Sequence, residues 1–156
     1  MISHNIAYLT IATLTAACCS ACAFSDTDTI KKINCYIDET LPEGRMDSVF
    51  FLTVIPEQGC GTCITQAEQF YKDFSSRDDM MFVFCNIMSN KILKNKVTIN
   101  PDNTILDYDN KLLSLLPQNK RIYPCVFVIK DGKASALIWQ SKNESAFMTV
   151  RKFLNN

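Results

Sequence analysis

Two continuous apolar runs of strand length, separated by an amphipathic helix, constrain the fold of this chain more than any other feature. Residues 48–55 and 80–88 lack the alternation of a half-exposed strand, which indicates strands that are buried on both faces. Between them, the apolar side chains that follow Cys60 recur at helical spacing on one face. A helix between two buried strands forms a βαβ unit, in which the strands are parallel. The sequence therefore predicts an α/β domain whose sheet is covered by helices.

Further helices are predicted on both sides of this unit in the sequence. Isoleucines at helical spacing predict an amphipathic helix over residues 26–41. Residues 89–103 are polar and predict a loop or an irregular helix. Asp109 is placed to cap a short leucine-rich helix that ends at Pro117.

The C-terminal part of the chain predicts a β-hairpin followed by a helix. Residues 125–129 and residues 133–139 are separated by Asp-Gly, a strong signal for a two-residue hairpin turn. Ser141 and Glu144 have the spacing of a capping box for the last helix. The predicted order is therefore β-α-β, a helical connection and then β-β-α, which gives a central four-stranded mixed sheet flanked by helices.

Length and charge limit the classes of function. With 156 residues, the chain is expected to form one domain. Lys and Arg together number 16, as do Asp and Glu, so the formal net charge is zero. A nucleic-acid-binding protein normally has a basic excess. Nucleic acid is therefore not an expected partner.

The N-terminal segment has the character of an export signal. None of residues 1–25 is charged, and residues 6–17 are mainly apolar. This stretch is shorter than the ~20 apolar residues of a membrane span but has the length of a signal-peptide core. We therefore divide the chain into an export signal over residues 1–25 and a folded domain over residues 26–156.

The small residues at the end of this segment allow two export routes. Residues 21–23 fit the A-x-A pattern of ordinary signal cleavage. Alternatively, the small residues before Cys18, or before Cys22, are similar to the lipobox of a bacterial lipoprotein, in which the new N-terminal thiol carries a lipid. We favour lipidation, at Cys18 rather than Cys22, and an uncleaved anchor is the third alternative. Both routes place the domain in the periplasm or at the cell surface, where disulfides persist, and lipidation would tether it to the membrane.

The motif with the clearest chemistry is Cys60-Gly61-Thr62-Cys63, between the first buried strand and its helix. This spacing at a helix start brings two sulfurs close enough to form a disulfide. The unpaired N–H groups and the positive end of the helix dipole favour the thiolate of Cys60. Cys60 is therefore the candidate nucleophile in disulfide exchange, and Cys63, one turn inward, the candidate resolving thiol.

Other uses of two cysteines fit less well. A structural zinc site needs two more ligands, but the only histidine is His4 and there is no second C-x-x-C, so no metal is expected. A c-type haem attachment needs a histidine after the second cysteine, where Ile64 stands. An inert structural disulfide remains an alternative.

Together with this motif, two later features resemble the thioredoxin superfamily. Tyr123 and Pro124 open the third strand, and the hairpin sequence KDGK precedes a C-terminal helix. The resemblance covers residues 47–154 and implies a thioredoxin-like fold. It also implies that Pro124 follows a cis peptide bond beside the C-x-x-C motif and that Tyr123 and Pro124 bind substrate, Tyr123 by pairing with it like an added strand.

An export signal before such a domain is similar to the periplasmic, membrane-tethered thiol–disulfide oxidoreductases of this superfamily, particularly the lipoprotein forms common in Bacteroidetes. The resemblance implies an enzyme that exchanges disulfides with protein substrates and favours their reduction. It would need an upstream redox partner, because it would hold no cofactor of its own.

Several positions depart from the superfamily pattern. Gly59 replaces the usual Trp before the first cysteine, Val54 replaces a buried Asp, and Gln66 stands where a related branch has Glu. Thr62 replaces the Pro between the cysteines, and Glu57 is only a weak substitute for the absent proton-handling groups. These departures motivate the competing hypothesis of a non-catalytic binding or assembly module with a structural disulfide.

A peroxiredoxin-like peroxidase is a further, weaker alternative. Residues 56–63 match the P-x-x-x-T-x-x-C spacing of that family, except that Cys60 replaces the Thr. The substitution converts a peroxide site into a dithiol site.

Three cysteines of the domain lie outside the motif. Cys85 and Cys125 fall inside apolar runs and are expected to be core thiols. In the superfamily's sheet their strands flank the C-x-x-C strand on opposite sides, so we expect no bond between them. The sequence leaves the state of Cys35 open.

Overall fold

The computed structural model describes residues 26–155, so the predicted export signal, with Cys18 and Cys22, lies outside the described residues. The helices are α1 (Asp26–Thr40), α2 (Gly61–Phe74), α3 (Asn90–Lys96), α4 (Lys111–Leu115) and α5 (Ala146–Leu154). The strands are β1 (Phe51–Pro56), β2 (Met80–Cys85), β3 (Thr104–Asp107), β4 (Cys125–Lys130) and β5 (Lys133–Trp139). A short 3₁₀ turn, Gln118–Lys120, precedes β4.

The strands form one mixed sheet with β1 in its centre. The order is β3-β2-β1-β4-β5; β1 is parallel to β2, β2 is parallel to β3, and β4 is antiparallel to both β1 and β5. The predicted βαβ unit and the β-β-α ending are therefore confirmed. All six residues of β1 and all six of β2 are buried, as the lack of polar alternation in these segments predicts.

The expectation of four strands is wrong, because the sheet has five. The additional strand, β3, is four residues long and lies at the edge of the sheet beside β2. Three of its residues are only half-buried, and it follows the polar segment that ends at Asn103. A strand so short and so little buried has no periodic pattern to reveal it.

The cap of α4 also differs from the prediction. The carboxylate of Asp107, at the end of β3, accepts hydrogen bonds from the backbone nitrogens of Lys111 and Leu112, both at 2.9 Å. Asn110, in a left-handed conformation with φ of 55°, brings the chain back over this carboxylate. Asp109 is exposed and does not cap the helix. The cap of α4 is therefore provided by Asp107, whose position is set by β3.

The predicted capping box at α5 is not formed either. The helix begins at Ala146, and the hydroxyl of Ser141 accepts hydrogen bonds from the nitrogens of Asn143 and Glu144 before the helix starts. The backbone nitrogen of Ser141 donates to the carbonyl oxygen of Glu144 at 2.9 Å. Residues 141–145 therefore make a separate closed loop, which we call the β5–α5 loop.

Alternate side chains of β1 enter two hydrophobic cores. Leu52 and Val54 lie on the side covered by α1 and α4, whereas Phe51 and Ile55 lie on the side covered by α2 and α5. The second core is rich in aromatic side chains: Phe70, Tyr71, Phe82, Phe84 and Phe147. Thr53 faces the same side, and its buried hydroxyl has no hydrogen-bond partner among the described residues.

The β4–β5 hairpin and its contact with α1 complete the sheet. Asp131 and Gly132 both have positive φ, 52° and 74°, as a type I′ turn requires, so the predicted hairpin is confirmed. β5 lies at the other edge of the sheet, where the side-chain amide of Asn34 bonds both the nitrogen and the carbonyl oxygen of Ala134, at 2.7 and 3.0 Å. An ion pair between Lys133 and Asp38 lies beside this contact.

Candidate active site

Cys60 and Cys63 are brought together at the N-terminus of α2, directly after the central strand. β1 ends at Pro56, Cys60 occupies the N-cap position, and Gly61 is the first helical residue. The two cysteines form a disulfide with a Cα–Cα separation of 5.3 Å, inside the usual range. The C-x-x-C motif therefore lies at the carboxyl end of a buried parallel strand, as the sequence predicts.

The two cysteines differ in exposure. Cys60 is half-buried, whereas Cys63 is only 4% exposed because it lies on the inner side of the first helical turn. An incoming disulfide can reach Cys60 and not Cys63. This asymmetry is what a nucleophile and a resolving thiol require.

Gly59 permits a close backbone approach that a larger residue would prevent. Its φ is 149°, and a Cβ at this position would lie 2.3 Å from the carbonyl oxygen of Ile122. The same oxygen accepts a hydrogen bond from the nitrogen of Cys60 at 2.9 Å. A glycine at position 59 is thus a steric requirement of this loop. Nothing in the sequence pattern around Ile122 indicated its contact with the motif.

Tyr123 and Pro124 directly follow Ile122, whose carbonyl oxygen accepts the hydrogen bond from the Cys60 nitrogen. Pro124 is buried, and its carbonyl oxygen accepts a hydrogen bond from the nitrogen of Gln140 at 2.8 Å. The peptide bond before it is trans, as are all peptide bonds among the described residues, so the expectation of a cis bond is wrong. The nitrogen of Tyr123 already donates to Lys120 at 2.9 Å, which closes the turn before β4.

A groove of about 580 Å³ lies alongside the disulfide. One side is formed by Cys60, Thr62, Cys63 and Gln66, and the other by the β5–α5 loop and Gln140. The opening beside the disulfide is thus bounded by α2 on one side and a short closed loop on the other.

Gln66 and Gln140 join the two sides of this groove. The amide nitrogen of Gln140 donates to the amide oxygen of Gln66 at 2.8 Å, and the amide oxygen of Gln140 accepts from the nitrogen of Phe147 at 3.2 Å. Gln140 is only 5% exposed. Gln140 was not predicted as a site residue, because its only signal in the sequence is a polar residue directly after an apolar strand.

Titratable side chains contribute little to the immediate surroundings of the disulfide. Val54, which has no titratable group, is fully buried in the core on the α1 side, away from α2. The carboxylate of Glu57 accepts a hydrogen bond from the nitrogen of Met88 at 2.6 Å, so it is engaged with the loop after β2. The charged residues of the groove, Lys142 and Glu144, are both exposed on the β5–α5 loop. Amides rather than carboxylates therefore lie next to Cys63.

No protein-family model matches this sequence, and no curated protein is significantly similar to it.

The remaining cysteines of the described chain are free thiols. Cys85 and Cys125 are fully buried on strands that flank β1 on opposite sides, which confirms both predictions made for them. Burial, and secondarily the Asp107 carboxylate, raises the pKa of Cys85 well above its usual value. Burial raises the pKa of Cys125 in the same way. Cys35 is exposed on α1 and unbonded.

Two features are absent from residues 26–155. No cluster of three or more His, Cys, Asp or Glu side chains in this part of the chain has the arrangement of a metal site. No helix in the same range combines the length and the apolar character needed to cross a membrane.

Proposed function

We propose that this chain is an exported, membrane-tethered thiol–disulfide oxidoreductase with a thioredoxin-like fold, acting on protein disulfides through Cys60 and Cys63. The observation that carries the proposal is the placement of the disulfide: it lies at the N-terminus of α2, directly after the central strand, with Cys60 accessible and Cys63 buried. The order of strands, with the β1–α2–β2 unit followed by the β4–β5 hairpin and α5, supports the thioredoxin-like assignment.

The chemistry begins from the reduced protein. The N-terminal N–H groups and dipole of α2 favour the Cys60 thiolate. This thiolate attacks one sulfur of a substrate disulfide, the substrate S–S bond breaks, and the departing thiolate takes a proton from water. Cys60 and the substrate are then joined by a mixed disulfide.

The second step regenerates the bond seen in the structure. Cys63 loses its proton to water and attacks the sulfur of Cys60, the mixed disulfide breaks, and the second substrate thiolate leaves and is protonated. Two electrons have passed to the substrate, and the protein holds the Cys60–Cys63 disulfide. A dithiol partner must then reduce this disulfide for another turnover. The same steps in reverse would oxidise a substrate dithiol.

The competing candidate is a binding or assembly module in which the disulfide is purely structural. The specific observation in its favour is that the groove beside Cys63 is lined by the amides Gln66 and Gln140, neither of which can take up or release a proton. A peroxiredoxin-like peroxidase is the weaker alternative, because Cys60 and Cys63 are bonded to each other as a dithiol site would be.

Equilibrium redox titration of the purified full chain separates these candidates, with thiol alkylation and peptide mass analysis as the readout. An oxidoreductase is expected to show a midpoint between about −120 and −270 mV, assigned to Cys60 and Cys63. A midpoint below about −300 mV would identify a structural disulfide and overturn the enzyme proposal.

Trapping in cells supplies an independent test. A Cys63→Ser variant should accumulate mixed disulfides through Cys60, and a Cys60→Ser variant is the matched control that should accumulate none. The mass of the mature N-terminus tests export: a lipidated Cys18 or Cys22 is the expected result, and a chain that begins at Met1 would contradict cleavage.

A further inference from the structure

Gln140 connects three segments around the disulfide through one buried side chain and its own backbone. Its amide group bonds Gln66 on α2 and the nitrogen of Phe147 on α5, while its backbone nitrogen bonds the carbonyl oxygen of Pro124. A buried amide is stable only when its polar atoms are paired. These contacts therefore fix the relative positions of α2, α5 and the loop before β4.

The β5–α5 loop begins directly at this residue. Gln140 and Ser145 form a backbone bridge across the base of the loop, and the contact between Ser141 and Glu144 closes its interior. The β5–α5 loop is thus compact, and Gln140 attaches its base to the rest of the molecule. This loop forms the wall of the groove that faces α2. The Gln66–Gln140 hydrogen bond links the base of the loop to α2, and both side chains line the groove.

On the other side of the motif, the main chain before β4 lies against Gly59 and Cys60. The carbonyl oxygen of Ile122 accepts the Cys60 nitrogen, and the backbone of Gly59 lies against the same residue. The nitrogen of Tyr123 is engaged with Lys120. An extended substrate segment therefore has its open approach along the groove between α2 and the β5–α5 loop.

We propose that Gln140 is a positioning residue that holds the β5–α5 loop at its distance from α2 and so adapts the site to peptide-sized disulfides. This inference rests on the proposed function and adds to it a residue, outside the two cysteines, on which the reaction with peptide disulfides depends. A polypeptide disulfide places the backbone on either side of its cysteine in the groove. The β5–α5 loop must then lie at the right distance from α2 to contact that backbone. A small disulfide reaches Cys60 without touching the wall.

The test compares two probes in single-turnover reactions of the reduced full chain. One probe is hydroxyethyl disulfide, and the other is a disulfide-linked peptide pair carrying a fluorophore and a quencher. The variants are Gln140→Leu and Gln66→Leu, with Cys60→Ser giving the background from the other thiols. Gln69→Leu is the matched control, because Gln69 lies on the same helix and bonds Asp73 rather than the wall.

Gln140→Leu should lower the reaction rate with the peptide probe about fivefold, which corresponds to the free energy of the hydrogen bonds that hold the β5–α5 loop. The rate with hydroxyethyl disulfide should stay within about twofold of wild type. Gln66→Leu removes the same contact from an exposed side chain, so it gives the answer if Gln140→Leu does not fold. Gln69→Leu should change neither rate.

Equal losses with both probes, or no loss with either, would overturn the role of Gln140 while leaving the proposed function intact. A wild-type chain that reduces neither probe faster than Cys60→Ser would overturn the proposed function itself, and this inference with it.

Discussion

The backbone nitrogen of Cys60 donates a hydrogen bond to the carbonyl oxygen of Ile122, at 2.9 Å. The contact joins the first residue of the C-x-x-C motif to the loop before β4, which is distant in sequence. It is possible only because Gly59 has no side chain facing that oxygen. The candidate nucleophile is thus held by main chain on one side and remains open to the groove on the other.

Gly59→Ala is expected to destabilise the protein by about 2–3 kcal/mol. The new Cβ would lie 2.3 Å from the Ile122 oxygen, and the φ of 149° is unfavourable for any residue with a side chain. Gly61→Ala is the matched control, since a Cβ there meets nothing within 4 Å and lies in the first turn of α2. It should change stability by no more than about 1 kcal/mol. Urea unfolding measures both, and equal stability of the two variants would contradict the steric argument.

Asp107→Ala should lower the free energy of unfolding by about 1–3 kcal/mol. The substitution leaves the nitrogens of Lys111 and Leu112 without their acceptor, and the Leu112 nitrogen has no access to water as a replacement because Leu112 is fully buried. Asp109→Ala, at the exposed position that the sequence favoured, should stay within about 0.5 kcal/mol of wild type. A larger effect at Asp109 than at Asp107 in chemical denaturation would show that the cap is assigned to the wrong residue.

The contrast between these two aspartates shows where sequence reasoning reaches its limit. Asp109 has the right spacing for a cap along the chain, but Asp107 is selected by tertiary structure, because pairing of β3 with β2 directs its carboxylate to α4. The apolar runs of β1 and β2 and the Asp-Gly turn of the hairpin did predict the structure correctly, because each of these signals is decided within its own segment of the chain.

In the candidate site, too, some features could be predicted from the sequence and others could not. The position of Cys60 and Cys63 and their unequal exposure follow from a local strand-to-helix pattern. The roles of Ile122 and Gln140 depend on contacts between segments far apart in the chain, which no spacing rule reveals.

Thr53→Val should stabilise the protein by about 1 kcal/mol. The hydroxyl of Thr53 is fully buried on β1 without a partner among the described residues, so an isosteric methyl removes an uncompensated desolvation cost. Thr104→Val should have the opposite sign, because the Thr104 hydroxyl lies 3.0 Å from the hydroxyl of Tyr71. Thermal and urea unfolding measure the stability of the two variants relative to wild type. A destabilised Thr53→Val would indicate that the Thr53 hydroxyl has a hydrogen-bond partner.

Stability under reducing conditions should fall as pH rises above about 8.5. An unfolded thiol has a pKa of about 8.5, whereas burial raises the pKa of Cys85 and Cys125 well above the usual value. Above about pH 8.5 the unfolded chain therefore loses protons that the native protein keeps, and each thiol contributes a decrease of about 1.4 kcal/mol per pH unit. Below that pH the contribution of both thiols to stability is complete.

Unfolding free energies between about pH 7.5 and 10 test this slope. Cys85→Ala should make the slope shallower, because one buried thiol no longer titrates on unfolding. Cys35→Ala is the control for the removal of a thiol outside the core, since Cys35 is exposed. If the slope of stability against pH were the same in Cys85→Ala as in wild type, the pH dependence could not be assigned to the buried Cys85 thiol.

The contact between Asn34 and Ala134 has a consequence for how this molecule behaves among its own copies. An outer strand normally offers free amide and carbonyl groups to which another chain can add, and such addition leads to aggregation. On β5 the amide of Asn34 occupies both main-chain groups of Ala134, and the ion pair of Lys133 with Asp38 places charges next to them. α1 thus covers this point of the edge, where a strand from a neighbouring molecule would have to displace the Asn34 amide before it could pair with Ala134.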